Sequence, residues 1–332
     1  MQSRAAPEPG ILFHADALDA CRTLAKPLFD LVYLDPPFNV GGSFTARTRA
    51  GEARGRRTKG SGPDAYHDAW GGRASFLSML RPRLAALRET MKPNASLWLH
   101  LDYRTVHYAK VMCDEIFGAG SFRGEIVWVP GNGARGRGPS ITHQTLLIFS
   151  RDAGADAQVV WNADDPALRE PFAATSMEMH FRKRTPDGRL YRERTIGGKT
   201  YRYFADRGRK LGSVWSDIPG MNANTPLRKE GTGYPTQKPE ALMERIIRAA
   251  SQPGDTVADL MCGSGTTLVV AARLGRRFIG GDASDIALAT TSRRLELAGA
   301  PYHLPPSAQP APLALLPGPG AAEDGGNAPD DR

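Results

Sequence analysis

Apolar and polar positions along this chain alternate between two rhythms. Between residues 10 and 42 an apolar run, "ILFHAD", an amphipathic stretch, "ALDACRTLA", and a second run, "LVYLD", read as strand, short helix and strand. Phe76, Leu77, Leu80, Leu84, Leu87 and Met91 then recur at helical spacing over 73–92. "ASLWLHLD" follows as a buried strand, and "YRTVHYAKVMCDEIFG" as a helix closed by Gly118. Two further strands, "GEIVWV" and "QTLLIFS", flank the glycine-rich loop "PGNGARGRGPSITH". After an interruption the rhythm returns at 234: helix in "TQKPEALMERIIRAA", strand and glycine turn in "DTVADLMCGSGTT", then helix "LVVAARLG", strand "RRFIGGDAS" and helix "DIALATTSRRLELAG". Strands alternating with helices on short connections predict a parallel α/β sheet. Ligands of such sheets bind at the carboxyl ends of the strands, where strand order reverses.

Residues 1–150 and 216–300 are therefore expected to form one domain. Residues 151–215 read as an insertion, because basic and aromatic residues interleave there and apolar runs shrink. Residues 301–332, rich in Pro, Ala and Gly with an acidic end, are expected to be a disordered tail.

Charge sharpens this picture. The 332 residues carry a formal net charge of +8, which points to acidic partners, nucleic acid first. The excess is local. Over 181–210, eleven Lys and Arg face three acids, a net +8, and over 46–60 six face one, a net +5. No apolar run approaches the roughly 18 residues of a membrane span, and the first residues show no export signal. Cys21, Cys113 and Cys262 are too widely spaced for a disulfide framework or a metal site. A cytoplasmic, nucleoid-associated protein without a metal is the expectation.

Two stretches carry candidate chemistry. In "ADLMCGSGTT", Gly263 and Gly265 stand between a strand and a helix, where backbone N–H groups can meet a ligand. Asp282 ends the next strand, 19 residues after Gly263, where a carboxylate can accept from ribose hydroxyls. The turn lacks the third glycine of a dinucleotide fingerprint, and Asp259 beside it would repel a pyrophosphate. A ligand with a ribose and a cationic amino group, such as S-adenosylmethionine, fits better; a turn that merely links strand to helix is the structural alternative. In "LVYLDPPFNV", a buried strand delivers Asp35 into two rigid prolines and an aromatic ring.

"DPPF", "TQKP" and "DLMCGSGTT", in this order, resemble the amino-group DNA methyltransferases, which make N6-methyladenine or N4-methylcytosine. With the tetrapeptide ahead of the cofactor turn, the chain resembles their β-class, whose motif order is circularly permuted. The resemblance covers roughly 10–42, 66–150 and 213–298. It implies an S-adenosylmethionine-dependent methyltransferase (Rossmann-like) α/β fold. It further implies catalysis at Asp35, Pro36, Pro37 and Phe38. The Asp35 carboxylate and the Pro36 carbonyl would accept the two N–H groups of the target amine, while Phe38 stacks on a base flipped out of the duplex. Cofactor contacts are implied for Asp16, Asp35, Lys238, Asp259, Cys262, Gly263, Ser264, Gly265, Thr266, Thr267, Asp282 and Ser284. Helix capping is the alternative role of Asp16, and a solvent-exposed position that of Lys238. The chain departs from the family where Leu260 and Met261 replace the usual Pro-Phe.

The same resemblance makes 151–215 the target-recognition region, with duplex DNA as partner. Arg135, Arg137, Arg182, Lys183, Arg184, Arg192 and Arg194 are the expected DNA contacts, with His143 near the base and 46–60 as an electrostatic arm or a linker. Asp at the head of the tetrapeptide leans toward adenine N6 over cytosine N4. RNA methylation and NAD-type oxidation are weaker alternatives. A cognate restriction endonuclease and a homodimer are further expectations.

Overall fold

The computed structural model describes residues 8–37, 72–131, 138–152, 154, 159–221 and 230–306, together with the backbone of 43–45 and 64–67. In chain order the N-terminal half gives β1 (Gly10–His14), α1 (Ala17–Thr23), β2 (Phe29–Leu34), β3 (Ser43–Thr45), β4 (Asp64–His67), α2 (Arg73–Thr90), β5 (Met91–Leu101), α3 (Val106–Phe117), β6 (Phe122–Trp128) and β7 (Gln144–Ser150). The inserted region holds β8 (Arg169–Glu170), α4 (Ala174–His180), β9 (Lys183–Arg184), β10 (Leu190–Ile196), β11 (Lys199–Phe204), β12 (Arg209–Lys210) and β13 (Val214–Trp215). Then come α5 (Glu240–Ala250), β14 (Thr256–Asp259), α6 (Thr266–Arg273), β15 (Arg277–Asp282), α7 (Asp285–Leu297) and β16 (Tyr302–His303).

Nine strands make the central sheet, in the order β13-β6-β7-β5-β2-β14-β15-β1-β16. The expected parallel sheet is corrected at one strand. β7 runs antiparallel to both β5 and β6. The tail is also corrected at its start, where Tyr302–His303 pair with Gly10 and Ile11 as an edge strand; residues 307–332 lie outside the described residues. Met91, assigned by periodicity to a helix, opens β5.

Alternation along the strands sorts side chains to the two faces. Phe29, Val32 and Leu34 of β2 pack under α1, α2 and α3, with Phe76, Leu80 and Leu84. Leu31 and Tyr33 face the other way, into the core beneath α5, α6 and α7. The inserted region closes the rest of that second face. Trp98, fully buried, stacks on Trp161 with ring centroids 6.2 Å apart and meets Trp215 at 6.3 Å. Asn162 donates to the carbonyls of Arg248 and Ser251 at 2.6 and 2.9 Å, tying this segment to the end of α5.

The strand order reverses between β2 and β14. From β2 the chain builds outward through β5, β7 and β6; from β14 it builds the other way through β15. Val32 pairs with Ala258, so Asp35 and Asp259 leave neighbouring parallel strands at the same carboxyl edge. Asp30 braces that seam lower down, accepting from Lys92 Nζ at 2.7 Å and from the Thr256 N–H at 2.8 Å.

Trp98→Ala is expected to lower unfolding stability by about 3–5 kcal/mol, read by chemical denaturation, because it empties the centre of the aromatic cluster that seats the inserted region.

Candidate active site

A cavity of about 340 Å³ opens at the carboxyl edge where β2 and β14 meet. One wall is the turn after β14. Gly263 and Gly265 hold φ of 51° and 72°, the left-handed region that glycine enters freely. A Cβ on Gly265 would lie 2.6 Å from Thr291 Oγ1, so the helix α7 behind the turn leaves no room for one. Asp282 braces the turn from β15. Its Oδ2 accepts from the Gly263 N–H and its Oδ1 from the Ser284 N–H, both at 2.9 Å. Lone pairs remain on that carboxylate for a ligand.

Asp259, 2% exposed, ends β14 inside the cavity. Its Oδ2 accepts from Thr267 Oγ1 at 2.6 Å and its Oδ1 from the Met261 N–H at 3.3 Å. Burial pushes its carboxyl up to about 7, against the pull of these bonds. Burial also raises the Cys262 thiol well above its ordinary range, so the thiol is inert and fills space. Met261, in place of the family's aromatic, lines the cavity beside it.

Across the seam, Asp35, Pro36 and Pro37 form the opposite wall. Lys238 Nζ donates to Asp35 Oδ2. The other carboxylate oxygen, Oδ1, is buried and accepts from no described residue. Burial raises the Asp35 carboxyl and Lys238 draws it back down. Phe38 lies outside the described residues.

Of the twelve residues expected at the cofactor, eleven line this cavity: Asp16, Asp35, Lys238, Asp259, Cys262, Gly263, Ser264, Thr266, Thr267, Asp282 and Ser284. Gly265 sits just behind, giving the turn its shape. Asp16 takes the capping role foreseen as its alternative, accepting from the Leu18 N–H at 2.9 Å, while still facing the cavity. Lys238 is 8% exposed, so the solvent-exposed alternative is overturned.

Sequence reasoning missed several lining residues. Arg83 of α2 reaches the cavity and pairs with Asp16 Oδ2 through Nη2 at 2.5 Å and Nε at 3.1 Å. Met79, Tyr33, Tyr234, Thr236 and Gln237 complete the wall. Among the described residues, four carboxylates (Asp16, Asp35, Asp259 and Asp282) face two cations, Arg83 and Lys238, in this lining. Such a balance suits a cationic ligand and opposes a pyrophosphate.

The expected DNA contacts divide. Arg135 and Arg137 lie outside the described residues. Arg182, Arg184 and Arg194 are exposed. Lys183 is held by Glu193, and Arg192 sits over the rings of Phe172, Phe181 and Tyr203 at 5.3, 5.3 and 5.4 Å. His143 is half-buried at the foot of β7. Residues 46–60 lie outside the described residues.

Comparison with known proteins agrees with this geometry. The N6_N4_Mtase family, described as DNA methylase, matches residues 29–291. DNA adenine methyltransferase YhdJ of Escherichia coli (strain K12) is 26% identical over 293 residues, which cover 88% of this chain and 84% of that protein. Type II methyltransferase M.EcaI of Enterobacter cloacae is 26% identical over 312 residues, covering 82% of this chain and 65% of that protein. Two solved structures share the fold. The M1.HpyAVI–SAM complex has a TM-score of 0.50 at 20% identity, covering 86% of this chain and 98% of that one. The PvuII DNA methyltransferase (cytosine-N4-specific) has a TM-score of 0.53 at 16% identity, covering 87% of each. A match to that family over residues 29–291, reaching from β2 to α7, places the chain in the DNA methylase family.

Proposed function

We propose that the protein transfers a methyl group from S-adenosylmethionine to the exocyclic amino group of a flipped base in duplex DNA, adenine N6 being the target. The observation that carries this is the open Oδ1 of Asp35, a buried acceptor without a donor at the edge of an acid-lined cavity. A buried acceptor left unmade is costly, so its partner belongs to the substrate. When bound, S-adenosylmethionine supplies a methyl group on a sulfonium, whose transfer to nitrogen leaves a neutral thioether. Asp259 and Asp282 would hold its cationic and ribose portions, and Asp16 with Arg83 its base.

Asp35 accepts an N–H of the target amine, which concentrates the nitrogen lone pair away from its ring. Nitrogen uses that pair for the new bond to carbon, and its surplus proton leaves by way of Asp35 to solvent. Pro36 and Pro37 fix the exit from β2, so the acceptors are set before the base arrives. Adenine over cytosine is supported by Asp at the head of the tetrapeptide and by the likeness to an adenine methyltransferase. Likeness to a Type II enzyme supports a cognate endonuclease as functional partner.

The inserted region supplies a DNA-binding ribbon. β10 and β11 join through Gly197 and Gly198, with φ of 56° and 76°, a two-residue hairpin turn. Cross-strand pairing sorts the charges. Glu193, Arg202 and Lys183 share one face, where the single carboxylate pairs with both cations. Arg184, Arg192, Arg194 and Lys199 share the other with Tyr201, Tyr203 and Ile196, and no acid opposes them in the ribbon. Ile196 and Tyr201 are 51% and 41% exposed near the tip. A two-stranded ribbon of this kind fits the major groove, its cations on phosphates.

Three outcomes are expected. Asp35→Ala abolishes methyl transfer while calorimetry still detects S-adenosylmethionine binding, and hydrolysed DNA from cells expressing the protein contains N6-methyladenine; N4-methylcytosine alone would overturn the adenine reading. Cofactor affinity rises between pH 6 and 8, with proton release on binding, because a cationic ligand favours the ionised form of Asp259, whose free carboxyl titrates at about 7. The pair Arg194→Ala with Lys199→Ala weakens duplex binding and flattens the dependence of log K on log salt by about 2, whereas Lys183→Ala, removing a cation already paired with Glu193, changes the slope by less.

A further inference from the structure

Residues 230–239, which lead into α5, are folded around one ammonium. Gln237 Oε1 accepts from the N–H and Oγ1 of Thr232 at 2.9 and 2.8 Å, and its Nε2 donates to the Glu230 carbonyl at 2.9 Å. Glu230 Oε2 accepts from the Glu240 N–H at 3.0 Å, which fixes the segment to the first turn of α5. Between these clamps Thr236 holds φ 58°, a left-handed conformation that a β-branched residue adopts only when its surroundings force it. The product of this arrangement is Lys238, turned inward and seated on Asp35 Oδ2.

The surroundings of Asp35 explain why a cation is held there. Asp259 of β14 and Tyr33 of β2 face it, and His100 of β5 faces Lys238. Asp259 adds negative charge; Tyr33 and His100 are both driven to their neutral forms by burial. Lys238 is thus the cation in contact with a carboxylate that burial pushes toward protonation, and its contact draws that carboxylate back down. A protonated Asp35 would carry a donor where the target amine needs an acceptor.

We infer that Lys238 is a positioning residue for methyl transfer: its ammonium occupies Oδ2 of Asp35 and fixes that group as an ionised acceptor whose remaining oxygen, Oδ1, is left for the target amine. This rests on the DNA methylase reading and adds to it a division of labour within one carboxylate. The family resemblance implies a different role for Lys238, as a cofactor contact, and the two roles make opposite predictions.

The test uses the full chain with Lys238→Met and Lys238→Arg. Carboxyl-13C NMR of the ligand-free protein, with the Asp35 resonance assigned through Asp35→Asn, reads the titration of Asp35 without any turnover. Lys238→Met moves that midpoint to higher pH by about 1–3 units, and Lys238→Arg leaves it near wild type. Single-turnover transfer falls about 100-fold in Lys238→Met at neutral pH. The acid limb of its pH profile moves upward with the midpoint, so raising the pH restores part of the rate. Affinity for S-adenosylmethionine changes by much less than the rate. An unchanged Asp35 midpoint with an unchanged acid limb and a large loss of cofactor affinity would overturn the inference and assign Lys238 to the cofactor. Because the titration needs neither cofactor nor DNA, a wild-type protein that transfers no methyl group would fail the methylase reading while leaving the Asp35–Lys238 result legible. Lys238→Arg keeps the test decisive should Lys238→Met fold poorly.

Discussion

Two carboxylates, Asp35 and Asp259, leave adjacent parallel strands at one edge, and much of the site is a response to that crowding. Each buried carboxylate is satisfied by a different device. Asp259 leans on the Thr267 hydroxyl and rises to a carboxyl that titrates near neutrality. Asp282, one strand further, accepts one backbone N–H on each oxygen and thereby shapes the glycine turn. Asp35 takes an ammonium on one oxygen and keeps the other open. On the proposed function the three solutions suit three tasks: a tunable charge for a cationic ligand, a rigid brace, and an acceptor for the target amine.

The half of the sheet beyond β2 does mechanical work of another kind. Antiparallel β7 lets β6 return beside it, and β13 closes the edge with buried Trp215. Trp128 donates to the Ile218 carbonyl at 2.8 Å, fastening the return of the inserted region. Trp98 and Trp161 clasp its start. The ribbon is thus anchored at both ends to a rigid platform, while Arg184, Arg194 and Lys199 stand in solvent. Affinity for a polyanion can then be built on a surface that contributes little to folding, since β10 and β11 bury no side chain completely.

Local chemistry was legible in the sequence and long-range chemistry was not. "CGSGTT" and "DPP" dictate their own backbone, so the turn and the exit from β2 could be placed from residue types alone. Asp282 could be placed because strand, helix and strand fix its distance from the turn. Arg83 could not. It lies in an amphipathic helix whose polar face looks ordinary, and only the packing of α2 over α1 brings it to Asp16. Thr236 and Gln237 read as the approach to a helix, whereas their function is to bend the chain so that Lys238 enters the cavity. The direction of β7 was hidden because the length of the loop before it fits either a hairpin or a crossover. Among the basic residues of the inserted region, composition gave a sum, and only cross-strand register separated Lys183 from Arg194.

That separation bears on how base choice can evolve in such a protein. An acceptor like Asp35 Oδ1 sees only an exocyclic N–H, which adenine and cytosine both present. On the proposed function, reading of the sequence around the base must therefore come from groups that meet the flanking duplex. The ionisation of Asp35, in contrast, is set wholly within that seam and the segment that carries Lys238. The two functions share no side chain among the described residues of the ribbon. Changes there can retune which sequence is bound, and how tightly, without disturbing the charge balance on which transfer depends.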